Sequence, residues 1–104
     1  MTKHILHLPD GFDDLLTEAK GWFPDARLES EGRIYRLTFY DPVRLAQEIE
    51  SDLERGGFFL ERNLVIVPRV ERKCLNIAVK QLIEAGGLAA LKAEPSPDDH
   101  GMEP

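Results

Sequence analysis

The stretch "RIYRLTFYDPVRLAQEIESDLERGG", residues 33–57, constrains this chain more than any other, because a strand runs into a helix with no room for a loop. Side chains alternate along a strand, so Tyr35, Leu37 and Phe39 share one face and Ile34, Arg36, Thr38 and Tyr40 the other. The first set is expected to face a core. At Asp41 the period changes. Asp41 is placed to cap a helix, Pro42 fills the first helical position where its missing N–H costs nothing, and Gly56 closes it. Leu45, Ile49 and Leu53, with Ala46, form the expected buried stripe, while Glu48, Glu50, Asp52 and Glu54 point to solvent.

The flanking segments supply further elements. "KHILHL", residues 3–8, reads as a strand stopped by Pro9. "DGFDDLLTEAKGWF" reads as a helix with Asp10 as cap and Phe12, Leu15, Leu16 and Ala19 on its stripe, ended by Gly21 and kept from renewal by Pro24. "DARLES" and the strand from Arg33 are expected to pair around a turn at Ser30-Glu31-Gly32. Leu64 to Val67 form a wholly apolar strand, which implies cover on both faces of the sheet. In "VERKCLNIAVKQLIEAGG", Cys74, Leu75, Ala78, Val79 and Leu82 make a third stripe, ended by Gly86-Gly87.

The chain of 104 residues has room for one domain. The expected organisation is a single α+β domain over residues 1–93 and a disordered, acidic, proline-rich tail over 94–104. The order strand, helix, strand, strand, helix, strand fits a ferredoxin-like βαββαβ split βαβ sandwich, with an added C-terminal helix. Its first two helices would cover one face and the third would lie across the other or past the edge. Ferredoxin-like names a topology only, since one cysteine ligates no iron–sulfur cluster.

The same element order resembles that of the RNA-recognition motif, whose third strand carries a basic residue and base-stacking aromatics. Arg33, Tyr35 and Tyr40 fall on the first, third and eighth places of that pattern. The resemblance implies an RNA-stacking strand. Against it, Ile34, Arg36 and Leu37 depart from the pattern, and Tyr35 and Tyr40 lie on opposite faces of an unbroken strand.

Charge narrows the partner classes. The net charge is −6, which disfavours nucleic acid because phosphate binding depends on excess Lys and Arg. The balance is uneven: Arg55, Arg62, Arg69, Arg72, Lys73 and Lys80 against Glu61 and Glu71 leave residues 55–80 at +4. No apolar run reaches the roughly 18 residues of a membrane span, and a lone Cys74 fits a reducing compartment, so a cytoplasmic setting is expected.

Candidate chemical groups stay scattered. His4 and His7 point to opposite faces of a strand and share no metal, and His100 lies in the tail. Cys74 sits beside Arg72 and Lys73 at a helix start, yet also on an apolar stripe that favours an inert thiol. Acid pairs at Asp13-Asp14 and Asp98-Asp99 read as dipole-favoured or solvated charges. No catalytic constellation and no cofactor motif emerges. Two features remain. Arg69, Arg72 and Lys73 crowd the start of the third helix and form a candidate anion-binding cluster. Phe58, Phe59 and Leu60, with Trp22 and Phe23, exceed what a small core hides and form a candidate interface for a protein partner or a homodimer.

Overall fold

A computed structural model describes residues 4–95. Four strands and three helices form an α+β fold: β1 His4–His7, α1 Asp14–Lys20, β2 Trp22–Ser30, β3 Arg33–Tyr40, α2 Pro42–Gly56, β4 Leu64–Ile66 and α3 Arg72–Glu84, followed by a 3₁₀ turn over Gly87–Ala90.

The sheet order is β1-β2-β3-β4. β1 pairs antiparallel with β2 and β2 antiparallel with β3, while β4 lies parallel to β3. This corrects the ferredoxin-like expectation, in which the first strand lies between the third and the fourth. The reason is the length of α1. Seven residues span only about 10 Å, too little to carry the chain along the sheet and return it as a parallel strand. The chain turns back instead, and β2 docks directly on β1. The remaining helical crossover, α2, brings β4 in parallel to β3.

One face of the sheet holds the core. Ala26 and Leu28 of β2 and Tyr35, Leu37 and Phe39 of β3 are buried there with Val67, Val70, Leu75 and Val79, each large side chain contributing about 1.5–3 kcal/mol by leaving water. Leu75 and Val79 are the buried positions of α3, so the helix expected as an addition is the main cover. α1 sits at the same side: Phe12, just before it, meets Phe23 edge to face with ring centroids 5.0 Å apart, and Phe23 pairs with Phe39. α2 lies on the opposite face, where its Arg44 covers Trp22 and Trp22 pairs with Tyr40. The expected sharing of one face by the first two helices therefore does not hold.

Local chemistry explains the boundaries. The Asp41 carboxylate accepts the Arg44 N–H at 2.7 Å, Pro42 opens α2, and the chain leaves it through Gly57 at φ 81°. α1 begins later than its sequence stripe implies, because Asp13 and not Asp10 caps it, accepting the N–H groups of Leu15 and Leu16. That phase buries Thr17 and leaves Leu15 and Leu16 exposed. β2 also starts early, at Trp22, and tolerates Pro24 because the register with β3 shifts between Phe23 and Ala26. Glu31 and Gly32, both at positive φ, make the two-residue turn to β3.

β4 is short and its cover incomplete. Val65 packs toward the core, whereas Ile66 stays exposed. The edge of β3 beyond β4 is closed by Asn63, at φ 51°. Its amide donates to the carbonyls of Arg36 (2.9 Å) and Lys92 (2.8 Å), and its Oδ1 accepts the Lys92 N–H at 2.8 Å. Glu94 then donates its N–H to the Ile34 carbonyl at 2.7 Å, and its carboxylate faces Arg36 and Arg62. Glu94, expected to open the tail, is thus tied to the sheet; residues 96–104 of that segment lie outside the described residues. Asn63→Ala removes three hydrogen bonds and an αL-tolerant residue. It should cost about 1–3 kcal/mol in urea unfolding, with faster amide exchange at Lys92 and Glu94 and unchanged exchange at Leu37.

Candidate functional site

The basic cluster meets a carboxylate from its own chain. Arg69, Arg72 and Lys73 are all exposed, and Glu71, at the cap position of α3, makes no capping bond. Asp14 makes it instead: its carboxylate accepts the Arg72 N–H at 2.7 Å. The Arg72 guanidinium lies 5.2 Å from the centre of the Phe12 ring, a cation–π contact. The positive end of α3 therefore faces an acid brought by α1 from 58 residues away in sequence. Asp13 and Asp14 act on different helices, one capping its own and the other reaching across. Arg69 and Lys73 keep their side chains toward solvent beside that end.

Cys74 is half-buried, and its thiol donates to the Glu71 carboxylate at 3.4 Å. Burial first, then that bond and the Glu71 charge, push the thiol up from its ordinary pKa. It stays protonated near neutral pH, the reverse of an activated nucleophile. The histidines engage separate partners on opposite faces: the His4 ring with Ser30 Oγ at 2.8 Å and the His7 ring with Glu29 Oε1 at 3.0 Å. Among the described residues, no three His, Cys, Asp or Glu side chains group to hold a metal ion.

The two tyrosines of the quoted strand are both buried, Tyr35 under α3 and Tyr40 on the other face. Neither ring is open to a base. Tyr40 tilts against Trp22, with centroids 6.5 Å apart, and Arg44 lies 5.8 Å above the indole. Arg44 is held in turn by Glu48 at 2.8 Å. The Tyr40 hydroxyl donates to Glu61 at 3.5 Å, a long bond. Burial first, then the charges of Glu61 and Glu48, push this phenol from 10.0 up to about 12.

The apolar candidates divide. Trp22 and Phe23 are half-buried in the stacks just described. Phe59 is half-buried as well. Phe58 and Leu60 stand out at 66% and 80% exposure, and Leu53 and Ile66, at 50% and 54%, extend the same length of chain. Periodicity could not reveal these last two, since it assigns Leu53 to the covered stripe of α2 and Ile66 to a fully covered strand. The chain from Gly57 to Asn63 carries Phe58 and Leu60 clear of the sheet. Both ends of that segment, Gly57 and Asn63, are in the left-handed region.

Two outcomes follow from these contacts. Asp14→Ala should lower stability by about 1 kcal/mol, the usual cost of a lost cap, measured by thermal or urea unfolding. For Tyr40 the sign is set by a folded-state pKa above the unfolded one. Its contribution is complete below pH 10 and is lost as pH rises toward about 12, at most roughly 3 kcal/mol. Tyr40→Phe should flatten that alkaline decline relative to the parent chain.

No family model, curated protein or solved structure matches this chain, so the reading of its surface rests on its own geometry.

Proposed function

We propose that this chain is a non-catalytic binding module whose partner is another protein, docking on the apolar flank of Leu53, Phe58, Leu60 and Ile66. The carrying observation is the exposure of Phe58 and Leu60, two residues apart in a short segment between Gly57 and Asn63. Large apolar side chains concentrated in one part of a small surface favour association, because burying them releases water at about 25 cal/mol per Å². Glu54, Arg55 and Arg62, all exposed, supply the polar rim of such an interface. The matching surface on the partner is an apolar groove able to receive an aromatic ring.

Supporting this reading, the polar groups that might have pointed to chemistry have structural partners: Cys74 on Glu71, His4 on Ser30, Asp14 on α3. A cytoplasmic setting fits the single, half-buried thiol. The second reading is a small anionic ligand at Arg69, Arg72 and Lys73. The exposed side chains of Arg69 and Lys73 at a helix N-terminus favour it, but such a ligand has to displace Asp14 from the Arg72 N–H.

The double variant Phe58→Asp/Leu60→Asp tests the first reading. The substitutions are at exposed positions, so the far-UV spectrum and unfolding midpoint should hold, while partner binding should weaken by roughly 30-fold or more. Equal binding by parent and variant sinks the reading. A phosphate titration followed by chemical shifts at Arg69 to Cys74 separates the anionic alternative, which flat shifts remove.

A further inference from the structure

We infer that this chain forms a two-fold dimer by pairing β1 with β1 of a second copy, the two α3 helices meeting beside the joined strands. β1 is an edge of the sheet, and an edge strand turns half of its backbone N–H and C=O groups away from its one neighbour. Among the described residues no strand pairs with that outer side. The four-residue strand "HILH" is short but contains no lysine, proline or bulge, three of the usual guards against edge pairing. The opposite edge is less suited, since β4 has three residues and the β3 edge beyond it is occupied by Asn63 and the chain from Lys92 to Glu94.

The ground beside β1 fits a strand. A groove of about 440 Å³ runs between β1 and α3, lined by His4, Leu6, Val79 and Ile83, with Lys80 and Glu84 at its rim. A strand added to β1 sends alternate side chains into this groove. A two-fold axis normal to the sheet pairs the strands antiparallel and keeps both core faces on the same side. Only residues of equal parity then stand opposite each other. Ile5, 44% exposed, meets Ile5 of the second copy on one face, and Leu6 stands opposite His4 of the second copy over the groove.

Charge selects a copy of this chain as the occupant. A chain of net charge −6 repels itself in general, but the α3 rim carries one Lys80 and one Glu84 a helical turn apart. Under two-fold symmetry the helices run antiparallel, so each Lys80 approaches Glu84 of the other copy, an arrangement that is self-complementary. The sheet order puts β1 and β4 at opposite edges, which leaves the Phe58–Leu60 flank of each copy at the far ends of the dimer. The dimer rests on the binding-module reading only for that consequence, a bivalent display of the flank.

Sedimentation equilibrium of the full chain from low micromolar to near-millimolar concentration tests it. The mass should rise from 11.8 kDa toward twice that value. Ile5→Lys, at an exposed edge position, should keep the chain monomeric with an unchanged far-UV spectrum. Lys80→Glu should raise the dissociation constant at least about fivefold, and the swap Lys80→Glu/Glu84→Lys should restore it. A chain monomeric throughout overturns the inference, as does a dimer indifferent to Ile5→Lys and Lys80→Glu. A dimer lost on Phe58→Asp overturns it too and moves self-association to the other flank. Partner binding that survives Ile5→Lys shows that the two surfaces stand or fall separately.

Discussion

Burial of the second half of β3 on both faces is the constraint from which the rest of this fold follows. Leu37 and Phe39 point into the core under α3, while Thr38 and Tyr40 are buried on the reverse side. A strand covered twice has to be flanked twice. β2 supplies one side over nearly the whole length, and β4 supplies the other for three residues. Where β4 gives out, Asn63 and the backbone of Glu94 take over the hydrogen bonding that an unpaired edge would otherwise lack. The same strand leads without a loop into α2, so the direction of β3 also fixes where that helix begins.

Gly21 shows how tightly that junction is drawn. It ends α1 in the left-handed region at φ 69° and its carbonyl accepts the Asp41 N–H at 2.9 Å. A Cβ there would stand 2.5 Å from the Asp41 carboxylate and 2.9 Å from Arg44 Cβ. The end of one helix and the start of another therefore touch at the only residue type that leaves space for both. Trp22, the next residue, is pressed between Tyr40 and Arg44 as a result. Its indole nitrogen is buried without an acceptor among the described residues, a local cost set against the stacking of the ring on Tyr40.

The parts of this architecture that depend on neighbours in sequence were legible in it. The cap, first-turn proline and glycine stop of α2 follow from residues 41–57, and the two faces of β3 follow from simple alternation. The α3 stripe was legible for the same reason, with Leu75 and Val79 buried as expected. What escaped depends on residues far apart. Asp14 capping α3 joins positions 58 residues apart, and Asn63 clasping Lys92 joins positions 29 apart. No period carries such information. The stripe assigned to α1 failed more locally: three carboxylates and a glycine between Asp10 and Asp14 offered several capping phases, and Asp13 selected one that leaves Leu15 and Leu16 exposed. Sheet order failed because strand and helix order is shared by several topologies, and only the short span of α1 separates them.

The surface left over has a consistent character. Acids that looked available for chemistry are drawn into the structure: Asp13 and Asp41 cap their own helices, Asp14 caps another, Glu48 steadies Arg44, and Glu94 ties the chain after the 3₁₀ turn to β3. Apolar side chains show the reverse. Leu53, Phe58, Leu60 and Ile66 stay at least half exposed, and α2 has no fully buried residue of its own. A small domain that covers only one sheet face well has to leave apolar area on the other. Leu53, Phe58, Leu60 and Ile66 belong to the α2–β4 half of the chain, and β1 is the opposite edge of the sheet. The two surfaces proposed for a second protein and for a second copy therefore share no residue.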